Sequence, residues 1–254
     1  MANDFRSTSV ILDSGSFYTK LDSTSTTPLE MPGIERAVMT AFGPAKVRYG
    51  QATGGAATRG QLFAYVAPVE ITNLVSGSTT TAVDAALTAD AYKYDVLVVK
   101  DVQASAGASP EGYCAPILSN TTTTIYLDPN NPLPAALAIN DDVTIVSFSK
   151  AVASAAGMEV NAGFGIAAAT IAQNYWGWWF FDGVCPYALY QSATALTADK
   201  ALIAHTARVS ISAASADQLL LGTTLGRLAW QNDTVDDVCA VKLWNLGQGR
   251  GVTA

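Results

Sequence analysis

Few side chains in this 254-residue chain are of the types that do chemistry, and their spacing does not bring them together. The single histidine, His205, sits between the apolar Leu202-Ile203-Ala204 and the strand-like run Ala207-Arg208-Val209-Ser210-Ile211. A lone imidazole acts as general base beside a nucleophile, and no Gly-x-Ser-x-Gly elbow is present to supply one. His205 therefore reads as a hydrogen-bonded or solvent-facing side chain. Asp141-Asp142 and Asp236-Asp237 are paired carboxylates, but neither has the alternating Asp/Asn spacing of a calcium loop. Both read as turn residues ahead of strands starting at Val143 and Val238. A glycosidase-type carboxylate pair has little support, because Asp and Glu are few near the aromatic segments. Gly163-Phe164-Gly165 carries two glycines of a dinucleotide loop without the third, and no Lys-containing phosphate loop occurs. Cys114, Cys185 and Cys239 are odd in number and scattered, so each reads as a small buried apolar residue. The expectation is no catalytic residue, no metal site and no cofactor: not an enzyme.

The elements that would have to position such groups point to a structural role. Half the residues are hydrophobic and only 14% are charged, against about 25% in an average globular chain. A chain so short of charge is expected to hide apolar surface against copies of itself or a partner. The net charge of −7 repels phosphate backbones. Arg36, Lys46, Arg48 and Arg59 form only a loose basic cluster, diluted by Gly, Pro and apolar residues. Nucleic-acid binding is not expected. No window has the apolar length of a membrane span, and the N-terminus lacks the pattern of a secretory signal. A soluble protein made in a reducing cytoplasm follows, with no membrane partner.

The reading along the chain is all-β, with β-sandwich or barrel-like modules, an extended N-terminal arm and little helix. Residues 1–60 read as the arm, because Pro28, Pro32, Pro44 and a run of glycines exclude long helices. Residues 61–150 read as one β-rich module. Its strand signals are Leu62-Phe63-Ala64-Tyr65-Val66, Val69-Glu70-Ile71-Thr72, Tyr94-Asp95-Val96-Leu97-Val98-Val99, residues 121–127 and Val143-Thr144-Ile145-Val146. Asp128-Pro129-Asn130-Asn131-Pro132 is a turn cluster between the last two. Residues 151–254 read as a second β-rich module, with short Ala-rich pieces at 151–156 and 167–172 that suit a helical turn. Ala86-Leu87-Thr88-Ala89-Asp90 returns as Ala195-Leu196-Thr197-Ala198-Asp199, an echo consistent with related modules divided near residue 150.

The most informative segment is Tyr175-Trp176-Gly177-Trp178-Trp179-Phe180-Phe181. As a strand it directs Tyr175, Trp179 and Phe181 to one face and Trp176, Trp178 and Phe180 to the other. Six such side chains present on the order of 1,000 Å², more than the few-hundred-Å² patch a soluble monomer shows. They are expected to be core or interface anchors. The competing reading is a sugar platform in a carbohydrate-binding or adhesin domain, which requires Trp176 or Trp178 to be solvent-exposed.

From Tyr126 onward the chain resembles the small structural proteins of tailed-phage heads. One piece is Gln173-Asn174-Tyr175-Trp176-Gly177-Trp178 followed by Gly183-Val184-Cys185. Another is Leu196-Thr197-Ala198-Asp199-Lys200-Ala201-Leu202. A third runs from Leu221-Gly222 through Gly226-Arg227-Leu228-Ala229 to Val238-Cys239-Ala240-Val241-Lys242-Leu243, and it is similar to the closing two-strand unit of capsid-cement proteins. Tyr126-Leu127-Asp128-Pro129, Leu133-Pro134 and Asn140-Asp141-Asp142-Val143 resemble phage structural chains as well. The resemblance implies a capsid-decoration (cement) subunit on the outer capsid surface of a virion, assembled in the host cytoplasm. It would bind the major capsid protein, often as a trimer, and stabilise the shell with no catalytic residue. A tail or neck protein fits the same composition.

Overall fold

A computed structural model describes residues 20–40, 42–103, 107–153, 163–191, 201–205, 208–210, 219–224, 236–243 and 250–251. These residues contain no helix, and the fold is all-β. The chain divides into two compact units, Val66–Ser149 and a unit made of Met1–Tyr65 with Lys150–Ala254.

The discontinuous unit opens with β1 (Glu35–Thr40), β2 (Gly43–Ala52) and β3 (Leu62–Tyr65). The inserted unit holds β4 (Val69–Ile71), β5 (Ser76–Gly77), β6 (Thr81–Val83), β7 (Val96–Asp101), β8 (Cys114–Asn120), β9 (Thr124–Leu127) and β10 (Asp142–Val146). The first unit then resumes with β11 (Lys150–Ala153), β12 (Gly163–Ala167), β13 (Trp176–Gln191), β14 (Ala201–His205), β15 (Arg208–Ser210), β16 (Leu219–Thr224), β17 (Asp236–Leu243) and β18 (Arg250–Gly251).

Several of these elements differ from the sequence reading. Residues 35–40 and 43–52, expected in an extended arm, form β1 and β2. The prolines that suggested an arm sit at turns and at the start of a strand, where a missing N–H costs little. In β2 Ala45, Val47 and Tyr49 are buried at the period-two spacing of one strand face, and Arg48, Gly50 and Ala52 are buried on the other. Residues 1–19 lie outside the described residues. Residues 61–65 belong with the discontinuous unit, because β3 pairs with β11 and β12. Of the two Ala-rich pieces, residues 151–153 belong to strand β11, residues 154–156 lie outside the described residues, and Ala167 ends strand β12. Asp236 and Asp237 are not turn residues but the first two residues of β17, opposite Gln191 and Tyr190. The second copy of the Ala-Leu-Thr-Ala-Asp echo lies outside the described residues, and the first falls between β6 and β7.

The hydrogen-bond path of the discontinuous unit closes on itself twice, and β13 belongs to both closures. Strands β2, β11, β3, β12 and β13 form a ring of five, completed by the β2–β13 pairing. Strands β13, β15, β14, β16 and β17 form a second, completed by β13–β17. The 16 residues of β13 make this sharing feasible. Its first half pairs with β2 from Trp176↔Gln51 onward, and its second half pairs with β17 down to Gln191↔Asp236. Gly183 faces Ala45 of β2 and Leu243 of β17 at once, so it marks the passage between rings. Its φ is +75°, and a Cβ there would lie 2.5 Å from the Pro44 carbonyl oxygen. Only glycine meets both conditions. Beside it Lys46 Nζ lies 3.1 Å from Asp182 Oδ2, where the β2–β13 register shifts.

The inserted unit is an antiparallel sheet of seven strands in the order β4-β10-β7-β8-β9-β6-β5. Its two edge strands, β4 and β5, are joined by residues 72–75 alone. From Ile71 to Ser76 the chain spans at most about 17 Å. Flat, a seven-stranded sheet would hold its edges about 29 Å apart. The sheet must therefore curl until its edges are near each other. The concave side holds one core that includes Leu97, Val99, Ile117, Ile125, Val143 and Ile145.

Candidate interaction surface

The side chains singled out from sequence are mostly consumed by the fold. Trp176, Trp178, Trp179, Phe180 and Phe181 are buried, and Tyr175 is partly buried against the same core. Arg48 of β2 donates to Tyr65 Oη on β3 and lies 3.5 Å from the Phe164 carbonyl oxygen on β12. Neither strand neighbours β2 in the hydrogen-bond order. Contacts between strands that are not neighbours place this face inside the first ring. Trp179 fills the same interior, with ring centroids 5.0 Å from Phe63 and 5.5 Å from Phe164. Its indole Nε1 donates to the Gly50 carbonyl at 3.1 Å, which satisfies the one polar atom of that side chain. Gly165 permits the approach of β12 to β13, since a Cβ there would sit 2.8 Å from Trp179 Cβ.

Trp176, Trp178 and Phe180 alternate to the outside of that ring and are covered by the chain itself. Tyr49 stacks on Trp176 at 5.9 Å and 19° and meets Trp178 at 5.1 Å. The segment before β1 closes over them. Ser25 and Trp176 exchange backbone hydrogen bonds, Leu21 and Ile34 pack on the cluster, and the Leu29 N–H donates to Tyr49 Oη. Burial pushes the Tyr49 hydroxyl above the ordinary tyrosine range. The exposure that a sugar platform requires at Trp176 or Trp178 is absent.

The basic side chains are likewise occupied. The Arg48 guanidinium is buried, donates to Glu35 Oε1 at 2.7 Å and lies 4.3 Å from the Phe181 ring centroid. A charge this dry is tolerable only with such a carboxylate and aromatic faces around it. Arg59 lies 3.7 Å above the Tyr187 ring. The Tyr187 hydroxyl donates to the Ala168 carbonyl at 2.7 Å, and burial, first among several causes, pushes it up to about 12.

Asp141 is buried and ties loops of the inserted unit. Its Oδ1 accepts from the Gln103 N–H at 3.1 Å and its Oδ2 from the Ala138 N–H at 2.7 Å. Asp142 Oδ1 accepts from the Asn73 N–H, so the pair is structural. Gly163-Phe164-Gly165 is a buried strand, not a loop. Among the described residues no group of His, Cys, Asp and Glu is placed to hold a metal ion, and no helix is long and apolar enough to cross a membrane. Cys185 is buried as expected, whereas Cys114 is exposed, because β8 turns it to the convex side. Cys239 and His205 are placed only as positions in β17 and β14.

What remains is a surface. An antiparallel sheet with one solvated face ordinarily alternates apolar and polar residues. In the inserted unit part of the convex face is apolar too, beside a polar part with Glu70, Lys100, Asp142 and Thr144. Register places Val146 of β10 beside Val96 of β7, and Val96 beside Pro116 of β8. In the adjacent row Val98 lies between Thr144 and Cys114. Further along β8 the register with β9 shifts by one residue between Ile117 and Ser119. That extra residue leaves both Leu118 and Ser119 opposite Tyr126, with Leu118 unpaired. Leu118 is 49% exposed and Tyr126 43%. Tyr94, 39% exposed, joins the row through its N–H, which donates to the Ile117 carbonyl. Sequence alternation identified these strands but did not flag the face, because Val96 and Val98 read equally well as core.

Searches against protein-family models, curated proteins and solved structures find no match to this chain.

Proposed function

We propose that the chain is a virion structural protein, a capsid-decoration (cement) subunit that binds the outer surface of the major capsid protein and stabilises the shell. The observation that carries this reading is the apolar convex face of the inserted unit, at a point in the fold where a soluble monomer has polar residues. The low charge of the whole chain supports it. So does the commitment of the bulky aromatic strand to the chain's own core, which leaves surface contact as the function to be served. The mechanism is adhesive. Each subunit adds burial at contacts with the shell, and many identical subunits convert a modest contact into a strong one by avidity.

Antibody raised to the purified chain and applied to particles of the phage that carries the gene tests the reading by electron microscopy. Label over the heads supports a decoration subunit. Label on the tail or neck moves the protein to another virion part, and particles without label sink the virion reading altogether.

A further inference from the structure

We infer that residues 20–33 form a strap that lifts about Gly33 while the strands beneath it stay paired, and that it gates an aromatic surface made by Tyr49, Trp176 and Trp178. The inference goes beyond the capsid reading and does not depend on it.

The fold beneath the strap is complete without it. The five-stranded ring closes through the β2–β13 pairing, which runs from Trp176↔Gln51 to Gly183↔Ala45. To this the strap adds one isolated bridge, Ser25↔Trp176. No strand or helix falls within residues 20–33, so the segment has no ladder of its own to hold it. Most of it lies in water. Thr24, Thr26 and Thr27 are exposed, as are Leu29 and Met31, while Leu21 packs on the cluster below and Glu30 is buried. A segment that buries so little apolar surface opens at a lower free energy than the core it lies on.

The backbone of the strap is tied down on the residues that it covers. Ser25 and Trp176 exchange hydrogen bonds, at 3.1 Å from the Ser25 N–H and 2.7 Å from the Trp176 N–H. The Tyr49 hydroxyl accepts from the Leu29 N–H at 3.2 Å, and the Tyr49 carbonyl accepts from the Gly33 N–H at 2.9 Å. Gly177 seats the strap between the two indoles. A Cβ there would lie 2.7 Å from Ile171 Cδ1 and 3.5 Å from Thr24 Cγ2. Gly33 has φ +79°, and beyond it the chain is fixed to β2. The Ile34 carbonyl accepts from the Tyr49 N–H, and β1 follows in an unbroken ladder from Glu35↔Arg48 to Thr40↔Gly43. Lifting therefore stops at Gly33.

One motion thus uncovers Trp176, Trp178 and Tyr49 together, with Tyr49 already stacked on Trp176. Returning three aromatic rings to water is unfavourable, so the closed form predominates and a brief label meets only that form. A slow reagent instead accumulates the openings.

Indole oxidation of the full chain by dilute N-bromosuccinimide, located by peptide fragmentation, tests this directly. Trp176 and Trp178 are expected to oxidise at least about tenfold faster than Trp179, which lies inside the ring. Below the unfolding transition, urea should change the Trp176 and Trp178 rates little, because lifting exposes little surface, and should raise the Trp179 rate steeply. Ser25→Pro removes one of the tying donors. It should speed Trp176 and Trp178 further and leave both the Trp179 rate and the circular dichroism unchanged. Equal rates at all three indoles of the wild type overturn the inference. So does a Ser25→Pro chain in which Trp179 accelerates with the other two, or in which none of the three changes.

Discussion

The ring around Trp179 and the curled sheet of Val66–Ser149 are both built from strands with apolar residues on both faces. They differ in what covers the outside. In the ring, Trp176, Trp178 and Phe180 face outward, yet the segment before β1 and the second half of β13 bury them completely. In the inserted unit, Pro116, Leu118 and Tyr126 also face outward and are exposed, with Val96 partly exposed beside them. An apolar outer face is thus a demand for a cover, which one region meets within its own chain. The other leaves it in water, so the aromatic strand should govern stability, and substitutions on the convex face of β7 to β10 should cost little.

Substitutions at the two regions should separate accordingly. Trp179→Ala removes the largest side chain of the ring interior and orphans the Gly50 carbonyl, so it should cost roughly 3–5 kcal/mol in urea unfolding. A loss below about 1 kcal/mol would deny that the ring is packed around it. Gly183→Ala should follow at roughly 2 kcal/mol, from its left-handed backbone and the close Pro44 carbonyl. If it were neutral, the passage of β13 between rings would not depend on that residue.

Alkaline pH offers a milder probe of the same region. The Tyr187 hydroxyl titrates near 12 in the folded chain, against about 10 when unfolded. Its contribution to stability is complete below pH 10 and is lost as pH rises through 12, because the unfolded chain releases that proton first. Wild-type stability should therefore fall over that window, and Tyr187→Phe should flatten the fall, as read from urea midpoints. The smallest effect is expected on the convex face. Leu118→Ser should shift the unfolding free energy by no more than about 0.5 kcal/mol, because about half of Leu118 is already in water.

Much of the all-β character was legible because alternation is local. The strands at Leu62, Val69, Val96, Thr124 and Val143 each announce themselves within a few residues. The two faces of the aromatic strand were legible for the same reason, with Trp179 in one cluster and Trp176, Trp178 and Phe180 in the other, but Phe181, expected beside Trp179, joins the second cluster where the register with β2 shifts. Strand β2 was obscured by Gly43, Pro44 and the interleaved Lys46 and Arg48, although Ala45, Val47 and Tyr49 keep strict period two. The burial of Arg48 was not legible, because its partners Glu35, Tyr65 and Phe164 are brought to it by ring closure. Nor was the insertion of Val66–Ser149. The chain enters and leaves it next to β3 and β11, where Tyr65 pairs with Ala151. Long-range pairing of this kind leaves no local trace.

Hydroxyl-radical footprinting of the folded chain in dilute solution, read residue by residue, tests the contrast between the two regions most directly. Trp176, Trp178 and Trp179 should stay unmodified, and Tyr94, Leu118 and Tyr126 should be modified. Modification of Trp176 or Trp178, or protection of Tyr126, would contradict the division between a self-covered core and an open apolar face.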